Sequence, residues 1–163
     1  MIKKDALFLA CLGVVFFFLT ACEQDRDPCL QPTTVPMRVI AKRPLTDSMF
    51  VDSLLPDPVW LRIDTALGLV YPSNTASFSL LLSPLTDSCS YALMPDSSAA
   101  NSIDTLTFYY NRNLHFLSNA CGFTYFFSLQ RISTTTNNID SVRIINSDVN
   151  LNASAPEHVQ IFF

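Results

Sequence analysis

Five cysteines, two histidines and a scatter of aspartates hold the side chains of this chain that could do covalent, acid–base or metal chemistry. A thiol enzyme would pair Cys89 or Cys121 with His115 or His158, and would also need a third group to orient the imidazole and donors for an oxyanion. No spacing in the sequence supplies either, so Cys121 reads as a structural thiol and Cys89 as a buried or unpaired one. Neither histidine has a second His, Cys or carboxylate two or four residues away, so the tight spacing of a metal site is missing. Asp47, Asp52 and Asp57 could act as acid and base on a sugar bond only if two were held about 5–10 Å apart. Their segment has two prolines and no glycine, and isolated aspartates in such loops are turn formers. No catalytic residue, metal or cofactor is assigned, and the expectation is a protein that is not an enzyme.

Cys22 carries a different chemistry. Lys3 and Lys4 precede an apolar run from Ala6 to Leu19, the charged and hydrophobic parts of a secretory signal. A membrane-spanning helix needs about 20 apolar residues, whereas this run soon turns acidic, with Glu23, Asp25 and Asp27 against Arg26. Leu19-Thr20-Ala21-Cys22 is similar to a bacterial lipobox: small residues open the backbone to the signal peptidase, and the thiol accepts diacylglycerol. Residues 1–21 are thus expected to leave as a signal peptide, Cys11 with them, and Cys22 to become the acylated, palmitate-bearing first residue. Each buried methylene contributes about 0.8 kcal/mol, so two or three acyl chains hold a protein to a bilayer almost permanently. The lipid bilayer is the first expected partner.

The mature chain carries eight Lys and Arg against thirteen Asp and Glu, a net charge of −5. It has no basic stripe, which argues against nucleic acid as a partner. Its two glycines, Gly68 and Gly122, do not form a phosphate-cradling loop, which argues against nucleotides. A domain of this length buries about 68–70% of its unfolded surface, enough for one core. Residues 22–34 read as a tether and 35–163 as a single domain. Cys29, Cys89 and Cys121 remain, and an oxidising periplasm or cell surface lets two of them pair in three ways.

The elements that must position these residues are strands. Ile103–Leu151 contains no proline, which places the central sheet there. Leu106, Phe108 and Tyr110 alternate with Thr105, Thr107 and Tyr109, and Asn111-Arg112-Asn113 reads as the turn that follows. Strands are also expected at 114–117, 123–132, 139–145 and 158–163, with Thr134-Thr135-Thr136-Asn137-Asn138 as a separator. Upstream strands are expected at 37–41, 59–64 and 77–82. Both faces of Phe123–Leu129 are apolar, as in a central strand covered on two sides. The fold class is all-β, a single antiparallel, immunoglobulin-like sandwich of eight or nine strands without a long amphipathic helix. The rival is a small transmembrane barrel, against which the lipobox and the short strands stand.

Two resemblances add to this reading. Asp47-Ser48-Met49, Asp52-Ser53-Leu54, Asp64-Thr65-Ala66, Asp104-Thr105-Leu106 and Asp140-Ser141-Val142 resemble the O-glycosylation sequon of exported Bacteroidota proteins. They make Ser48, Ser53, Thr65, Thr105 and Ser141 candidate sites, although Asp before Ser or Thr is also common at turns. The acidic start Cys22-Glu23-Gln24-Asp25-Arg26-Asp27 with Cys29 behind it, the Asp104-Thr105-Leu106-Thr107 strand, Ala120-Cys121-Gly122-Phe123 and His158-Val159-Gln160-Ile161-Phe162 together resemble an uncharacterised lipoprotein family of Bacteroidota. The likeness spans nearly all of the mature chain. It implies a disulfide between Cys29 and Cys121, leaving Cys89 a free thiol, and an outer-membrane barrel protein as a partner.

The expected protein is therefore a non-catalytic binding or scaffolding module, lipid-anchored in the cell envelope at the outer membrane and facing either the periplasm or the exterior. The alternative is a surface protein that binds or cleaves glycans, using the aspartates and an aromatic platform of Tyr109, Tyr110, Tyr125 and Phe126.

Overall fold

A computed structural model describes residues 28–46, 49–98, 103–152 and 157–163. Residues 1–21, expected as a signal peptide, and Cys22, Asp47 and Ser48 lie outside the described residues. Gln31–Phe163 forms one unit and Met1–Leu30 another. No helix among the described residues is long and apolar enough to cross a membrane.

Two sheets face each other. The first is built on β1 (Pro36–Thr46), whose one edge is shared by β5 (Ser77–Leu81) and β2 (Met49–Asp52). Its other edge takes β11 (Val159–Phe162), which pairs in turn with β9 (Ser141–Ile144). The second sheet runs in the order β10 (Asp148–Val149), β8 (Gly122–Thr134), β7 (Asp104–Ser118), β6 (Ser88–Met94), β3 (Val59–Arg62), β4 (Leu67–Val70). This is the expected all-β sandwich, and it is not a closed barrel.

Period-two patterning explains which residues face inward, because successive strand side chains alternate between faces. Met37, Val39 and Ala41 from β1 and Phe78 and Leu80 from β5 meet Tyr91 and Leu93 from β6 and Leu106 and Phe108 from β7, all buried. Trp60 sits among them, its ring 5.5 Å from Phe78 and 6.2 Å from Tyr91. Two tyrosines reach out of this core to staple the β5–β6 connection. Tyr91 donates to the Leu81 carbonyl at 2.7 Å, while Tyr110 accepts from the Ser83 N–H at 2.9 Å and donates to its carbonyl at 3.1 Å.

Four sequence-based expectations need correction. Eleven strands form among the described residues where eight or nine were expected, and β11 runs parallel to β1 while the other strand pairs are antiparallel. Asn111-Arg112-Asn113 is not a turn: β7 continues through it for 15 residues, because β8 supplies backbone partners all the way to Ser118. The chain reverses instead at residues 119–121, where Gly122 takes φ +70° and the Ser118 hydroxyl accepts the Cys121 N–H at 3.0 Å. Glycine adopts such a φ without the steric penalty a side chain would bring. Finally, Phe123–Leu129 is not covered on two sides, since Phe123 is 62% exposed.

That exposure follows from the topology. β6 pairs with β7 only as far as Ser88 opposite Tyr109, so the rest of β7 and its partner β8 project past the sandwich as a two-stranded hairpin. A bulge at Gln130, between the pairs Tyr109–Arg131 and Tyr110–Leu129, switches the inward set of β8 from even to odd residues. Leu129 and Phe127 therefore face the core, and Tyr125 and Phe123 continue the same face beyond it.

Candidate functional site

The β8 strand of this hairpin, from Phe127 out to Phe123, overhangs the end of the sandwich, and a cleft of about 350 Å³ lies beneath it. Phe123, Tyr125 and Phe127 descend from β8 on one side, and Leu82 and Pro84 come from the β5–β6 connection. Thr33, Thr34 and Val35 close the cleft ahead of β1, and the Thr124 hydroxyl donates to the Thr33 carbonyl at 2.7 Å. The polar wall is Arg62, whose Nε and Nη2 donate to the two carboxylate oxygens of Asp64 at 2.7 and 2.8 Å. That fork raises the Arg62 pKa and lowers that of Asp64. The cation is thus already neutralised, and the cleft can take an apolar side chain or chain segment without leaving an unpaired charge.

A second, shallower recess of about 520 Å³ lies on the free edge of β7, lined by Asp87, Asn111, Arg112, Asn113, Leu114 and Tyr125. Arg112 donates to Asp87 at 2.7 Å and to the Pro84 carbonyl at 2.8 Å. Tyr125 lines both recesses. Neither was apparent from motifs. The signal in the sequence is that no Asp, Glu, Lys or Arg occurs between Arg112 and Arg131, although the segment projects from the domain.

The structure brings two of the candidate residues together: Cys29 and Cys121 form a disulfide. Cys89 is a free, buried thiol whose pKa burial pushes up, with the Tyr110 hydroxyl partly offsetting this. It pairs across from Phe108 on the inward face of the sheet, while His115 lies on the opposite face, stacked on Phe126 at 4.4 Å. His158 is committed elsewhere, its Nδ1 accepting the Arg38 N–H at 2.9 Å. The thiol–imidazole pairs are therefore not assembled.

The two described aspartates of the candidate set, Asp52 and Asp57, are engaged separately. Asp52 pairs with Lys42 at 2.7 Å, and Asp57 accepts from the Ser97 hydroxyl. Among the described residues no group of three His, Cys, Asp or Glu could hold a metal ion. The aromatic platform is divided: Tyr110 is a core residue with 2% exposure, and Tyr109 lies under the Arg131 guanidinium at 3.9 Å on the outer face. Tyr125 belongs to the cleft, and Phe126 to the His115 stack. Of the candidate glycosylation sites, Thr65 and Ser141 are exposed, Thr105 is half-buried and Ser53 is buried at 9% exposure.

Asp104, whose neighbour Thr105 drew attention in the sequence, has a structural task of its own. Its buried carboxylate accepts from the Thr135 hydroxyl at 2.8 Å, from the backbone of Asn137, Asn138 and Ile139 at 2.7, 2.7 and 3.1 Å, and from the Asn138 amide at 3.2 Å. Burial works to raise its pKa, but these donors prevail and the net shift is downward.

Fold and cleft together define a β-sandwich domain with an overhanging hairpin. The chain belongs to the family of unknown function DUF6452, which it matches over residues 57–163. No curated protein and no solved structure matches it.

Proposed function

We propose that this chain is a lipid-anchored envelope protein whose sandwich is a non-catalytic module docking an outer-membrane protein at the cleft beneath the β7–β8 hairpin. The observation that carries the address is Leu19-Thr20-Ala21-Cys22 at the end of an apolar run, with acidic residues immediately behind. The cleft supports the binding role: apolar walls and a neutralised cation suit an apolar segment of a partner, and an exposed apolar surface of this kind marks an interaction site. Disulfide formation between Cys29 and Cys121 fits an oxidising compartment.

Two measurements test the reading. Cells fed labelled palmitate should incorporate it into the chain and not into the Cys22→Ser variant. A photo-crosslinking residue replacing Tyr125 should capture one integral barrel protein of the outer membrane, and the same residue replacing the remote Val70 should not. A chain that carries no lipid, or equal capture from both positions, would reject the proposal. Intact mass in the same preparation checks modification, since hexose increments beyond the lipid would map to the exposed Thr65 or Ser141.

The polar recess favours a second reading, saccharide binding by Asp87, Asn111 and Asn113 beside the Tyr125 ring. Oligosaccharide binding by the folded chain that is lost in Asn111→Ala and Asn113→Ala would place the function there.

A further inference from the structure

We infer that the far end of the β7–β8 hairpin rests in the headgroup layer of the lipid membrane, so that the protein touches the bilayer at a second, non-covalent point. The inference rests on the reading of Cys22 as lipidated and adds to it a defined face of the folded domain.

Three observations carry it. First, the hairpin end is apolar and uncharged. Leu114, Phe116 and Phe123 are 60%, 50% and 62% exposed and lie on one face, with the Phe116 and Phe123 rings 5.2 Å apart. No Asp, Glu, Lys or Arg occurs anywhere between Arg112 and Arg131, in a chain otherwise carrying 24 such residues. An exposed strand pair in water is ordinarily protected by charges against edge-to-edge pairing, and this one has none. Against a bilayer the same composition is favourable, because no ionised group needs desolvation and phenylalanine partitions to the interface.

Second, covalent geometry ties the hairpin end to the anchor. Cys121 lies at the reversal between β7 and β8 and is bonded to Cys29. Cys29 is seven residues from Cys22, a contour of at most about 25 Å for a fully extended chain. The layer of headgroups flanking the hydrocarbon is itself several ångströms deep, so an acylated Cys22 confines Cys121 close to the leaflet that holds the lipid.

Third, the pairing of the strands sets the depth. Among the described residues, β7 beyond Arg112 pairs with β8 alone, and β10 covers β8 only at Phe127 and Ser128. Among the described residues the outer backbone groups of the hairpin have no ladder partners and must keep water, which excludes insertion into the hydrocarbon core. The hairpin therefore reaches the headgroups with its aromatic face and goes no deeper. Because Phe123 also lines the cleft, this posture would open the cleft onto the membrane plane, where the rim of an integral protein would meet it.

The test uses the full lipidated chain reconstituted in phosphatidylcholine vesicles whose acyl chains carry bromine near the headgroup. Phe116→Trp and Phe123→Trp should lose at least half of their added tryptophan fluorescence. Val70→Trp, at the opposite end of the six-stranded sheet, should lose almost none, and bromine placed at the end of the acyl chains should quench all three weakly. Vesicle flotation is measured in parallel. A chain that floats with the vesicles while Phe116→Trp and Phe123→Trp stay as bright as Val70→Trp overturns the inference and leaves the lipid anchor standing. A chain that does not float overturns both.

Discussion

Arg38 and His158 hold each other through two hydrogen bonds: the His158 N–H donates to the Arg38 carbonyl at 3.0 Å, and the Arg38 N–H donates to His158 Nδ1 at 2.9 Å. Accepting at Nδ1 fixes the neutral tautomer with hydrogen on Nε2, and that atom is buried. Burial, reinforced by the Arg38 charge and partly offset by the Asp148 backbone, pushes the imidazole pKa down.

Acidification should therefore destabilise the fold through His158. The folded imidazole binds a proton less readily than the unfolded one, whose pKa is about 6.5, so stability is complete above about pH 6.5 and falls as pH drops below it. Denaturant midpoints measured from about pH 7.5 to 5.5 should decrease in the natural chain. In His158→Asn, whose Oδ1 can still accept the Arg38 N–H, the decrease should be much smaller. Glu157 has a lowered pKa and titrates below the usual glutamate range, outside this window.

Asp104→Asn should cost about 2–4 kcal/mol, because the amide both forfeits charge-assisted bonds and turns a donor toward donors. Chemical denaturation measures the loss. Amide exchange should quicken first at Asn137, Asn138 and Ile139, whose N–H groups the carboxylate holds. Protection that stays unchanged there would mean the loop is organised by other contacts.

Cys29→Ser, Cys121→Ser and the double variant should lose the same stability, since each removes one and the same bond. Closing a loop of about 90 residues contributes roughly 4–5 kcal/mol in the chain-entropy view, an upper figure for the loss. A double variant markedly less stable than either single one would show that the two thiols do not act as a pair.

Cys89 should resist thiol reagents in the folded protein and react in step with unfolding, because burial raises its pKa and its side chain has 5% exposure. Labelling rates followed through a denaturant titration provide the check. Rapid labelling under native conditions would instead mark a local opening of β6.

Legibility followed the physics of each element. The alternation in Ile103–Tyr110 was readable because a half-buried strand must alternate, and Leu106, Phe108 and Tyr110, expected on one face, share the buried one. Ser88–Met94 gave little signal: it has no β-branched residue, and it is a strand because β3 and β7 pair with it on both sides. β2, β4 and β10 are short edge strands, likewise defined by their partners.

By themselves the residues determined the all-β class and the inward set of the central strands, and they carry the pattern from which export and acylation are proposed, since each is a local pattern of charge, size or period. Tertiary structure alone decided that β11 runs parallel to β1, that β7 passes straight through Asn111-Arg112-Asn113, and that a bulge at Gln130 resets β8. It also divided Tyr109, Tyr110, Tyr125 and Phe126 among core, outer face and cleft. These depend on which distant segment supplies a backbone partner or a covering side chain, and a one-residue shift in that pairing exchanges the faces of a strand.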